Sequence, residues 1–200
     1  MPHISAQEFE RVPLRVHTFL AGVPLHDVWA TDLPHSRSGI TLDEFLRVSS
    51  GRLFTPSPAV RALLKIRFIL GGLFGWDRPA LAASTAETFA DRLTPADRAR
   101  SLAPAGLSEG LFRVVYRFEN EQLLEVLNRT AHAAALSALV ETASSYRFYF
   151  AVYVRSVSRL TPLYMTLIDP FRKLVVYPSL LRSVRTNWKQ PSLPNEPIAE

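Results

Sequence analysis

Cysteine is absent from the 200 residues. Disulfides, thiolate metal sites and cysteine nucleophiles are therefore excluded, and the composition fits a reducing cytoplasm. Lysine is scarce as well: of 23 basic residues only Lys65, Lys173 and Lys189 are lysines, and the arginines are scattered along the chain. A net charge of +5 spread in this way offers no focused patch for nucleic acid. No run suits a bilayer. The longest apolar stretch, Leu160 to Leu181, carries Asp169, Arg172 and Lys173 at its middle together with three prolines, so no stable membrane insertion is expected. Met1 to Ala30 lacks a basic start, an apolar run and a small-residue cleavage site, and no signal peptide is expected.

Motifs of common chemistries are missing too. His17, His26 and His35 form no His-x-His or His-x3-His pair, so no metal site is expected. No serine is placed by the sequence beside a histidine and an acid for nucleophilic work, and Gly71-Gly72-x-x-Gly75 ends a helical pattern instead of following a strand. No catalytic residue, cofactor or metal is assigned.

What remains is ample core-forming material, 48% apolar against 20% charged, in a length that suits one domain. Residues 1–13 read as a loose arm, 14–189 as the domain and 190–200, rich in proline, as a mobile tail. The centre of the pattern is Tyr146 to Trp188. From Tyr146 to Val157 aromatic and β-branched residues dominate, and Phe148, Phe150, Val152 and Val154 fill one face of a strand. Tyr149, Tyr153 and Arg155 share the other face, expected to be exposed or covered by a second copy in a homodimer. Asp169 and Pro170 read as the opening of a helix. Phe171, Leu174, Val175, Pro178, Leu181, Val184 and Trp188 form its inner stripe, with Arg172, Lys173, Arg182, Arg185 and Lys189 outside. Pro178 is expected to bend it.

Upstream, Leu14 to Leu20 reads as a short strand and Val23 to Ala30 as a helical turn or short helix. Thr41 caps a helix with Glu44 as its capping-box partner, and Pro58 opens a longer helix ending near Gly71. Asp77 to Gly110 reads as surface connection, with short helices around 85–92 and 95–101. A meander follows. In it Phe112, Val114, Tyr116 and Phe118 share a face, residues 123–127 pair back, and alanine-rich Ala131 to Glu141 forms a strand against its own propensity because turn signals bound it.

This order, with the stretches YRFEN, NRTAH, YFAVYV and LTPLYMTLIDPFRKLVVYPSLLRSVRTNW, resembles the bacterial family called domain of unknown function 2867, placed in the START-like or Bet v 1-like (helix-grip) group. The resemblance covers roughly residues 14–189. It implies an α+β fold: an antiparallel curved sheet wrapped on a long C-terminal helix, two helices inserted after the first strand, and a cavity between sheet and helix. The family's Asp-x-His element stands here as Thr130, Ala131, His132, without the acid.

The expected function is non-enzymatic binding of a small apolar molecule, lipid-like or polyketide-like, in that cavity. Its candidate lining is Tyr116, Asn128, Thr130, His132, Phe148, Phe150, Tyr164 and Phe171. One alternative is a cyclase or isomerase-like enzyme using His132 with a tyrosine such as Tyr116. Another is peripheral membrane attachment through Arg61, Lys65 and Arg67 beside Phe68, Phe74 and Trp76.

Overall fold

A computed structural model describes residues 3–35, 37–48, 61, 65, 87–127, 132–157 and 160–188. Its frame is an open antiparallel sheet of six strands: β1 (Leu25–Pro34), β2 (Ser108–Glu109), β3 (Phe112–Arg117), β4 (Glu121–Leu127), β5 (His132–Glu141) and β6 (Ser145–Arg155). The spatial order β1-β6-β5-β4-β3-β2 sets the first strand beside the last, and the rest form the expected meander. Alanine-rich β5 is held as a strand by ladders on both sides, to β4 and to β6, which outweigh its helical propensity.

Both faces of the sheet are covered. On one, α1 (Ala6–Glu10) and α2 (Arg15–Phe19) pack with the segment around Phe89 over Tyr116, Leu136, Tyr149, Ala151 and Tyr153 in one continuous core. This corrects several expectations. The supposed loose arm contains α1 and puts Phe9 fully inside. The supposed strand 14–20 is α2: Val16, Phe19 and Leu20 are the buried set, a spacing of three and four where a period of two had been read. Tyr149 and Tyr153 need no second copy, because the chain's own helices bury them. Phe89, Leu93 and Ala103 are buried too, so the segment read as surface connection is partly core. Within it a 3-10 turn (Phe89–Arg92) and α4 (Pro95–Arg100) stand near the expected short helices.

The supposed helical turn at 23–30 is the start of β1. Asp27, Thr31 and Leu33 alternate as a buried set, which a strand period explains and a helical one does not. The helix capped by Thr41 is α3 (Leu42–Val48), and the Glu44 backbone N–H donates to Thr41 Oγ1 at 3.1 Å. The helix expected from Pro58 and the tail 190–200 lie outside the described residues, apart from Arg61 and Lys65, which are helical and exposed. In β3 a register shift between Val114 and Tyr116 breaks the expected alternation, and Val115 joins Tyr116 in the core.

The C-terminal helix lies on the other face. It begins at Leu160, so Asp169 and Pro170 sit inside it and not at its cap. It runs as α5 (Leu160–Phe171), a π-helical segment (Arg172–Val176) and α6 (Tyr177–Trp188). The Tyr177 N–H donates to the Arg172 carbonyl across this widened turn, immediately before Pro178, whose missing N–H an α-helical ladder would have needed. An extra residue in one turn rotates the following face by roughly 100°. The single stripe read from the sequence therefore breaks: Leu180, Leu181 and Val184 are buried, whereas Phe171 is 48% and Leu174 77% exposed.

Candidate functional site

The core beneath the C-terminal helix is divided. One cluster joins Leu33, Phe148, Leu181 and Val184, and another joins Val152, Val154, Met165 and Tyr177. Half-buried Trp29 and Phe150, paired directly across β1 and β6, touch both. The Tyr177 ring completes an aromatic trio, 5.5 Å from Trp29 and 5.6 Å from Phe150 between centroids.

A polar group borders this trio because β1 is irregular there. Its pairing with β6 shifts between Leu25 and Asp27, which leaves His26 as the extra residue. His26 and Asp27 consequently both reach the C-terminal helix, where strict alternation would have sent one to each face. His26 Nε2 lies 2.9 Å from Asp169 Oδ1. Arg172 donates to Asp169 Oδ1 at 3.1 Å, to Asp27 Oδ2 at 3.3 Å and to the Tyr177 hydroxyl, and that hydroxyl donates to Asp27 Oδ2 at 3.3 Å. Lys173 is paired with Asp169 Oδ2 at 3.4 Å.

The electrostatics follow from this arrangement. Burial pushes Asp169 up, but the His26 hydrogen bond and the charges of His26, Arg172 and Lys173 outweigh it and hold the carboxyl below its ordinary range. Burial drives the Tyr177 phenol well above its ordinary range against the opposing pull of Arg172, so it stays a neutral donor. His26, Asp27 and Asp169 each offer an atom within 4.8 Å of the others. Arg172 already bridges both carboxylates, however, and a divalent ion would have to displace it.

Among the described residues, two polar atoms here have no partner. Asp27 Oδ1 and Trp29 Nε1 are both buried, an acceptor and a donor two residues apart on one face of β1. Unpaired buried groups of this kind cost about 1–3 kcal/mol each, more when charged. The Tyr177 ring packs on Trp29 while its hydroxyl reaches Asp27, so one side chain borders both.

The residues singled out from the sequence scatter. Phe150 lines this site. Phe148 is sealed in the neighbouring cluster, and Phe171 faces outward. Tyr116 lies on the opposite face of the sheet, between Phe19 and Phe118, with its hydroxyl unpartnered. His132 is on that opposite face too, fully buried and stacked 3.9 Å from Phe89. Its Nε2 is 3.1 Å from Glu125 Oε2, and its Nδ1 is 2.7 Å from Arg155 Nη2. The strand registers leave His132 and Tyr116 four residues and two strands apart, roughly 16 Å between backbones, so they do not converge. Asn128 and Thr130 lie outside the described residues, as does the side chain of Tyr164. Sequence reasoning missed His26, Asp27, Trp29, Asp169, Arg172 and Tyr177 as a group. The available signals were the alternation Asp27, Trp29, Thr31, Leu33 and the helical spacing of Asp169 to Arg172 and Lys173.

One family matches, over residues 19–179, a span that holds every residue of this site. The chain belongs to the family described as "Protein of unknown function (DUF2867)". It matches no curated protein and no solved structure. The family span takes in β1 with its irregularity and ends just beyond Tyr177, leaving α1 outside it. Among the described residues no helix is long and apolar enough to cross a membrane.

Proposed function

We propose that this protein is a helix-grip binder of a small, mostly apolar molecule, held between the sheet and the C-terminal helix in the cytoplasm without covalent chemistry. The observation that carries the reading is the divided core: Trp29, Phe150 and Tyr177 meet where the two clusters separate, and Asp27 Oδ1 and Trp29 Nε1 stand there unpaired. An apolar lining with a few orienting polar atoms is what small-molecule sites require. The sheet order, the C-terminal helix across one face and the lack of cysteine agree with it.

The nearest acid–base groups support binding over catalysis. Arg172, Asp27, Asp169 and His26 hold one another, and His132 is enclosed on the far side of the sheet. Native mass spectrometry of freshly purified protein, followed by solvent extraction, tests the proposal. A bound mass that extraction removes is expected. Apo protein alone, joined to a crystal structure with the Trp29–Phe150–Tyr177 junction filled by side chains, would overturn it.

A further inference from the structure

We infer that the polar end of the bound molecule is a neutral hydroxyl, an alcohol or phenol, and not a carboxylate or phosphate. The inference rests on the ligand-binding reading above and names the chemistry of that same site.

It follows from what the site has left to offer. Asp27 Oδ2 is engaged by Arg172 and Tyr177, while Oδ1 is free, and a carboxylate oxygen can only accept. Trp29 Nε1 is free, and an indole nitrogen can only donate. A ligand group that satisfies both must give one hydrogen bond and take one. A hydroxyl does so with a single atom.

An ionised head is disfavoured on the same grounds. It would accept from Trp29 but has no proton for Asp27, and it would bring a second negative charge against a carboxylate that is only 1% exposed. The cations beside Asp27 and Asp169 are occupied: Arg172 bridges Asp27, Asp169 and Tyr177, and Lys173 is paired with Asp169, while Arg185 farther along the helix gives its Nε–H to Thr31 Oγ1. A purely apolar ligand would leave both orphan atoms unsatisfied. Sites built to bond a hydroxyl reject analogues that lack it for that reason.

The test uses three probes of one shape, naphthalene, 2-naphthol and 2-naphthoate, titrated into the full-length protein at pH 7 after extraction of any bound material. Isothermal calorimetry and probe fluorescence report binding. The neutral phenol is expected to bind about 10- to 100-fold more tightly than naphthalene, the worth of one hydrogen bond to a charged group. Naphthoate is expected to bind most weakly. Trp29→Phe deletes the donor along with part of the aromatic surface, so it should weaken binding of both probes but reduce the preference for naphthol over naphthalene several-fold. Equal affinities for naphthol and naphthalene would overturn the hydroxyl inference and leave the ligand-binding reading standing. Preferred binding of naphthoate would do the same and point to Arg172 as the anchor. Binding of none of the three would count against both.

Discussion

Arg172, in the widened turn of the C-terminal helix, reaches Asp27 on the first strand, with Nη2 3.3 Å from Oδ2. The two residues are distant in sequence and largely enclosed, their side chains 14% and 1% exposed. Asp27 directly follows the irregular register of β1 and Arg172 opens the π-helical segment, each a departure from regular structure next to the candidate site.

Removing one partner of this pair should be costly. Arg172→Met leaves Asp27 buried without its cation, and a loss of about 3–5 kcal/mol is expected in urea unfolding. Adding Asp27→Asn should recover part of it, because the orphan charge is gone. Additive losses in the double variant would mean that the pair is not coupled.

Glu121 gives the protein a pH dependence of definite sign. Its Oε1 accepts from the Arg15 backbone N–H at 2.9 Å, but burial dominates and pushes the carboxyl up from 4.5 to about 7. The folded state thus keeps a proton that the unfolded chain releases, so this contribution is full below about pH 4.5 and declines as pH rises to about 7. The loss across that window is about 3 kcal/mol at most. Glu121→Gln should flatten the slope and raise Tm at pH 8 in thermal melts. On the acid side Asp97, held at about 2 mainly by its hydrogen bond from Arg15, loses its contribution as pH falls from 3.8 through 2.

Trp188 anchors the end of the C-terminal helix. Its ring lies 5.1 Å from Tyr146 and 5.5 Å from Phe45, and its N–H donates to the Pro34 carbonyl at 2.9 Å. Trp188→Ala is expected to lose about 3 kcal/mol. Pro178→Ala should not stabilise the protein, since the π-helical turn already accommodates the missing N–H. A Pro178→Ala protein melting several degrees higher would contradict this account of the turn.

His132 should prove structural. It ties Glu125 to Arg155 beneath Phe89, while Glu125 also accepts from the Phe89 N–H at 2.8 Å and Arg155 donates to the Glu87 carbonyl at 2.9 Å. His132→Gln is expected to lower stability by about 2–4 kcal/mol and to leave 2-naphthol affinity unchanged. A large change in affinity with unchanged stability would make His132 part of the site.

The sheet was legible where periodicity was strong. Phe148 to Val154 and the turn-bounded run ending at Glu141 marked β6 and β5 even though alanine dominates the latter. The N-terminal elements were exchanged, strand for helix, because Leu14 to Leu20 and Val23 to Ala30 are short enough for either period to fit a few apolar residues. The site was not legible for a different reason. His26 and Asp27 reach one helix only because a residue is extra in β1, and Phe171 and Leu174 turn outward only because a residue is extra in the helix. Neither insertion leaves a mark in a pattern read with a fixed period. Among the expected lining residues whose side chains are described, Phe150 stands beside Trp29 and Tyr177, on a strand that kept an unbroken alternation.

The most direct measurement is a crystal structure of the protein as purified, at a resolution that distinguishes a ligand from water. The account predicts continuous density of an organic molecule beside Trp29, Phe150 and Tyr177, with one oxygen about 2.7–3.1 Å from both Trp29 Nε1 and Asp27 Oδ1. Side chains or isolated waters filling that junction, with both atoms paired inside the protein, would contradict it.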